Sequence, residues 1–126
     1  MNEYRDRFDP KKYEEDEPVA VGYGVPGTPE DWWKDIEDEI AWIPESIFVR
    51  AQSIGSAYNL HLIPTINIYE RTELNQSQAE TLMGELGFIK TVTNDPYLHG
   101  WLERAQENVL KVMRSAKETV VIIEGP

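Results

Sequence analysis

The strongest constraint on the fold lies late in the sequence, where a helical pattern leads directly into a strand pattern. Asp95 and Pro96 are typical first residues of a helix, because aspartate caps free backbone N–H groups and proline fits the first turn. Apolar residues then recur at helical spacing, namely Leu98, Trp101, Leu102, Ala105, Val109, Val112, Met113 and Ala116. The β-branched run Thr119–Ile123 predicts a strand that is covered on both faces. Helices and a sheet are therefore expected in one chain.

The predicted fold class is α+β, with a mixed sheet of four or five strands and about three helices, which form a single layer on one face of the sheet. Apolar or alternating patterns predict the other strands at Val19–Tyr23, Ser46–Ala51, Leu60–Tyr69 and Phe88–Thr93. The Ser46 segment fits equally well a short helix that opens after Pro44. A right-handed crossover is expected if the Phe88 and Thr119 strands are parallel neighbours.

Two more helices are predicted from their end signals. Thr28 and Pro29 resemble an N-cap and a first helical residue, which predicts a helix from Pro29 to about Ala41. Asn75, followed three residues later by Gln78, predicts a second helix that ends at Gly87. Ala79, Leu82, Met83 and Leu86 give this second helix its apolar stripe.

Length and charge set the domain organisation. With 126 residues the chain suits one core, and residues 18–126 are predicted to form a single α+β domain. Residues 1–17 are polar and acidic and are predicted to be a flexible arm. The net charge is −11, and residues 18–45 carry seven acids against one base. The acidity is therefore concentrated in the first third of the chain.

Composition excludes several classes of function. The chain has no cysteine, which excludes disulfides, thiolate nucleophiles and cysteine-bound zinc. Its negative charge disfavours binding to nucleic acid and to anionic lipid. No apolar run approaches the length of a membrane span, and the N-terminus lacks the apolar region of a secretory signal, so a cytoplasmic protein is expected.

The segment after Pro29 carries the most suggestive surface. On the predicted helix, Asp31, Asp35, Asp38 and Trp42 fall on one solvent-facing side, and Glu39 adds a further carboxylate. An exposed tryptophan among carboxylates is typical of an interface that recognises a basic protein. The simpler interpretation is a solvated acidic face that keeps the protein in solution.

A second candidate site consists of aromatic residues. A ligand pocket lined by Tyr23, Tyr69, Tyr97 and Trp101, with His99 or a carboxylate as the polar contact, would support a small-molecule-binding or enzymatic role. His99 is also explained as a surface residue of the long helix. No spacing typical of a metal site and no nucleophile motif is present, so no catalytic residue, metal or cofactor is predicted.

The function predicted from these features is non-catalytic binding of a basic protein, as an immunity protein or antitoxin binds a toxin. The alternatives are the aromatic pocket and a subunit of a homo-oligomeric assembly. A monomer or a homodimer is expected.

Overall fold

The computed structural model describes residues 17–27, 29–116 and 118–125. In chain order its elements are β1 (Pro18–Gly24), β2 (Ala41–Pro44), α1 (Glu45–Ala57), β3 (Arg71–Leu74), α2 (Gln76–Val92), α3 (Pro96–Arg114) and β4 (Val120–Glu124). The predicted arm falls outside these ranges except for Glu17, and so does the predicted cap residue Thr28.

The four strands form one sheet in the order β2-β1-β4-β3. Every neighbouring pair is antiparallel, so the sheet is not mixed, while the α+β class and the strand number are as predicted. β4 lies between β1 and β3, which explains why Val120 to Ile123 are all buried. The interior position predicted for the Thr119 run is confirmed, and the parallel pairing with a crossover is wrong.

The three described helices share one face of the sheet, as predicted. Alternate strand residues such as Val21, Ile43 and Ile123 point toward this layer and join the main core. From α3 the core receives Leu98, Leu102, Ala105, Val109 and Val112, which are buried members of the predicted stripe. Ala116 lies beyond the end of the helix and is exposed.

The opposite face of the sheet is covered by the segment 29–40, where a helix was predicted. This segment is a series of tight turns with one turn of 3₁₀ helix at Lys34–Ile36, and Ala41 already belongs to β2. Asp31 and Asp35 would be like-charged neighbours on an α-helix, and aspartate is a poor helix former, which disfavours the predicted helix. Trp32, Trp33, Ile36 and Ile40 of this segment pack on the sheet in a second apolar cluster.

Two other segments that were assigned to strands are helical. Ser46–Ala51 lies inside α1, which begins directly after Pro44, the alternative that the sequence left open. Phe88–Thr93 falls almost entirely within α2, because that helix does not end at Gly87. The apolar stripe of α2 continues past the glycine to Ile89, which is fully buried, so core packing carries the helix onward to Val92.

The segment Leu60–Tyr69 was predicted as a strand but is a loop with one 3₁₀ turn at Ile63–Thr65. Glu85 of α2 is only 7% exposed, and its carboxylate accepts hydrogen bonds from the backbone N–H groups of residues 61, 62 and 63. Gln52 of α1 donates to the carbonyl oxygens of Ile63 and Ile66 at 3.0 and 2.7 Å. Two side chains thus satisfy backbone groups that a sheet neighbour would otherwise satisfy.

Two of the three predicted helix starts are confirmed, while the one at Pro29 is wrong. Asn75 and Gln78 form a reciprocal capping box, with 2.8 and 2.9 Å hydrogen bonds between each side chain and the other's backbone N–H. Asp95 caps α3 by accepting from the N–H of Tyr97, and it also pairs with Arg50 of α1. Within the described ranges, no helix combines the length and the apolar character needed to cross a bilayer.

Candidate protein-binding face

The sheet face opposite the helices carries a shallow, open groove beside residues 29–40, which are called the acidic segment below. Its lining consists of Pro18, Ala20, Trp32, Trp33, Glu37, Trp42, Glu124 and Gly125. Strand register explains part of this set, because Ala20 pairs with Trp42 on one side and with Glu124 on the other. These three residues therefore form a row across β2, β1 and β4.

The aromatic part of the groove is an edge-to-face pair of tryptophans. Trp33 and Trp42 have ring centroids 5.8 Å apart and ring planes at 81°. Both rings are half-buried, and the indole N–H of Trp42 donates to the backbone carbonyl of Glu37 at 3.2 Å. Trp42 was expected on the solvent side of a helix; it lies on a strand instead and holds the acidic segment at Glu37.

Trp32 anchors the same segment to the middle of the sheet. It is 9% exposed, and its ring lies so close to Gly22 that a Cβ on that glycine would come within 2.7 Å of it. Its indole N–H is buried and finds no hydrogen-bond acceptor among the described residues. A buried donor without a partner is uncommon in folded proteins, so this atom marks a place where an acceptor is missing.

The two ends of the acidic segment are held by polar contacts. At its beginning, Arg71 and Glu73 of β3 bind the carbonyl of Pro29 and the N–H of Gly27. At its end, two side chains of α3 bind backbone carbonyl groups. Arg104 donates to the carbonyl of Ile40 at 3.3 Å, and Asn108 donates to that of Glu39 at 3.0 Å. The segment is therefore held by β3 at one end and by α3 at the other.

Glu39 belongs to a small ionic network and not to the freely exposed acids. Its carboxylate accepts from Lys111 at 2.8 Å and from the hydroxyl of Tyr23 at 2.6 Å. The hydrogen bond from Lys111, followed by that from Tyr23, lowers the pKa of Glu39 below its ordinary value of 4.5. The hydrogen bond from the Tyr23 hydroxyl to Glu39 is also the largest cause that raises the pKa of Tyr23 above 10.0, and burial of the phenol is the second.

The other predicted acidic residues are at the surface. Asp31 makes a wide ion pair of 3.7 Å with Lys34, which is worth little because both side chains are solvated. Asp35 and Asp38 are exposed and flank Glu37, which lines the groove. Of the five predicted partner-binding residues, Trp42 lines the groove, from a strand, whereas Asp31, Asp35, Asp38 and Glu39 are not among its lining residues.

The residues of the predicted aromatic pocket are distributed over several places. Tyr97 and Trp101 meet edge-on at 6.4 Å, while the ring of His99 bonds to the hydroxyl of Thr93 at 2.8 Å. Tyr69 is 68% exposed and its hydroxyl donates to Glu45. Tyr23, as described above, binds Glu39. These contacts place the aromatic residues in separate interactions.

Trp101 does line an interior cavity, which it shares with eleven aliphatic or aromatic core residues from α1, α2, α3, the sheet and the loop at Ile63. Its free volume is about 10 Å³, which is no more than one water molecule needs. In the part of the chain that is described, no three histidine, aspartate or glutamate side chains are arranged to hold a metal ion.

Comparison of the chain with models of protein families, with curated proteins and with solved structures finds no match in any of the three.

Proposed function

We propose that the chain is a non-catalytic binding domain that recognises a basic surface of another protein, in the manner of an immunity protein or inhibitor. The observation that carries this proposal is the position of Glu37 beside the Trp33–Trp42 pair in one open groove. Large, rigid aromatic rings supply contact area in protein interfaces, and surrounding charges select and steer the partner.

Charge supports the same conclusion. Residues 30–39 contain six carboxylates and one lysine, and the chain as a whole carries −11. Of these acids, Glu39 is neutralised by Lys111. The negative electrostatic field of the segment therefore comes mainly from the five acids that precede Glu39. A surface of this sign accelerates encounter with a cationic partner and slows encounter with an anionic one.

Rigidity supports it as well. The backbone beside and within the acidic segment is bound at Gly27 and Pro29 by β3 and at Glu39 and Ile40 by α3, so the course of the segment is held at both ends before a partner arrives. A surface that is already ordered loses less conformational entropy on binding.

The test uses a decalysine peptide as the cationic probe and tryptophan fluorescence as the readout. Replacing Asp35 and Asp38 by Asn should weaken binding by roughly fivefold at low salt, since two exposed charge interactions contribute about 1 kcal/mol together. Replacing the exposed Glu80 and Glu107 by Gln removes the same charge from the helix layer and serves as the matched control. Equal weakening in both pairs would mean that net charge alone attracts the probe, and the proposal would be wrong.

A further inference from the structure

We propose that the groove is a subsite for one arginine side chain of the partner, with the guanidinium group against the Trp33–Trp42 pair and paired with Glu37. The inference rests on the proposed function, because it names the side chain by which a basic partner is recognised. It also goes further than that function, because it distinguishes arginine from lysine, and it has its own test.

The first argument is the charge of Glu37. Its side chain is exposed and lines the groove. Glu124, the other carboxylate of the groove, already binds Arg71 at 2.7 Å. Within the described ranges, no lysine or arginine forms an ion pair with Glu37. A cationic side chain of another protein would therefore complement a charge that this part of the chain leaves uncompensated.

The second argument is the aromatic surface beside this carboxylate. Trp33 and Trp42 are half-buried, and their rings meet at nearly a right angle in the groove. Tryptophan attracts a cation to its ring face more strongly than the other aromatic residues do. The indole N–H of Trp42 donates to the backbone carbonyl of Glu37, which fixes this ring next to Glu37. Aromatic surface and negative charge are thus adjacent before a partner arrives.

The third argument is the shape of the cation that fits these two features together. A guanidinium group is planar and weakly hydrated, so it stacks on an aromatic ring and also donates two parallel hydrogen bonds to one carboxylate. The ammonium group of lysine is compact and strongly hydrated, and it cannot form this fork. Pro18 and Ala20 line the same groove and offer apolar surface to the aliphatic part of the arginine side chain.

The test compares decaarginine with decalysine, which carries the same charge, in binding to the full chain. The parent chain should bind decaarginine roughly tenfold more tightly, because only the guanidinium group gains both the stacking and the fork. Glu37→Gln should reduce this preference to about threefold, because the fork is lost and the stacking remains. Asp38→Asn is the matched control, since it removes the same charge from an exposed neighbour that does not line the groove. It should weaken the binding of both peptides and leave the preference unchanged.

Indole N–H signals in NMR spectra of the parent chain locate the bound peptide. Saturating decaarginine should shift the signals of Trp33 and Trp42 more than decalysine does. Trp101 is the internal control, because it packs against the main core and should keep its position in both titrations. The proposal is overturned if the parent chain does not prefer decaarginine, if Glu37→Gln and Asp38→Asn change the preference equally, or if Trp33 and Trp42 do not shift. Both substituted side chains are exposed, so both variants are expected to fold.

The two proposals fail in different ways. If Glu37→Gln removes the preference for decaarginine but decalysine does not discriminate the Asp35 and Asp38 variant from its control, the groove binds guanidinium and the proposed function is wrong. If decalysine discriminates that variant and Glu37→Gln leaves the preference unchanged, the proposed function stands and the arginine subsite is wrong. If both are correct, the Asp35 and Asp38 variant should bind both peptides more weakly and still prefer decaarginine.

Discussion

The carboxylate of Glu85 lies 2.8 Å from the backbone nitrogen of Ile63 and accepts its hydrogen bond in the interior of the protein. The same carboxylate accepts from the backbone N–H groups of His61 and Leu62. An acidic side chain on α2 therefore satisfies three backbone donors of the loop that follows α1.

Replacing Glu85 by Gln should lower the free energy of unfolding by about 2 kcal/mol. Glutamine has only one acceptor oxygen, and its amide N–H₂ would face donors that are already buried. Urea denaturation measures the loss. Glu80→Gln, at an exposed position on the same helix, is the control and should change stability little. Similar losses in the two variants would contradict a stabilising role for the hydrogen bonds of Glu85 to the loop.

Any substitution of Gly22 by a residue with a side chain is predicted to destabilise the protein. A Cβ there would lie 2.7 Å from the ring of Trp32, so Gly22→Ala should shift Trp32 and lower the free energy of unfolding by about 1–3 kcal/mol. Trp32 emission should also move to longer wavelength as the ring becomes more hydrated. Gly84→Ala, in a helix with nothing within 4 Å of the added carbon, should be neutral or slightly stabilising.

The Arg50–Asp95 pair should make stability depend on pH in the acid range. Burial is the largest single influence and raises the pKa of Asp95, but the hydrogen bond from Arg50 and those from the N–H groups of Leu98 and Tyr97 outweigh it, so the pKa lies below 3.8. Such a carboxylate contributes stability above the unfolded pKa of 3.8 and loses it as the pH falls through the lower, folded pKa.

Asp95→Asn isolates that contribution, because asparagine also caps helices well. The variant should be less stable than the parent chain by about 2 kcal/mol at neutral pH, and the difference should disappear once the pH falls below the folded pKa of Asp95. Thermal unfolding of both chains across the acid range measures this. A difference that stays constant down to the lowest pH would exclude the ion pair as its origin.

Two tyrosines should respond to two different carboxylates. Glu39 raises the pKa of Tyr23 and Glu45 raises that of Tyr69, in each case first through a hydrogen bond from the phenol. Glu39→Gln should therefore bring the pKa of Tyr23 back toward 10.0 and leave Tyr69 unchanged, and Glu45→Gln should do the reverse. Carbon-13 NMR of labelled tyrosines across the alkaline range reads both residues in each variant. A shift of both tyrosines in either variant would contradict the two separate pairs.

The parts of the fold that were predicted correctly are those determined by residues close together in the sequence. The caps at Asn75 and Asp95 are made by side chains within three residues of the helix start, so sequence spacing identifies them. The covered strand Thr119–Ile123 is recognisable because burial on both faces demands apolar residues throughout.

The errors came from contacts that are distant in sequence. The loop after Leu60 is stabilised by Gln52 and Glu85, and neither gives a local signal. β3 is polar on most of its length and escaped prediction, because Arg71 and Glu73 bind the acidic segment instead of packing in a core. The position of Trp42 followed from the pairing of β2 with β1, which single-sequence patterns do not reveal.

The pairing of β1 with β4 also governs how the chain reaches its folded state. Gly24 is the register partner of Val120 in the antiparallel pair of β1 and β4. The central contact of the sheet therefore joins segments separated by almost the whole described chain. Such distant closure is slow, and during synthesis β1 has no partner on that side until β4 has left the ribosome. α2 and α3 pack closely on each other, so they can associate before the sheet against which they lie is complete. The nascent protein is therefore expected to begin as a helical hairpin and to acquire its acidic groove last.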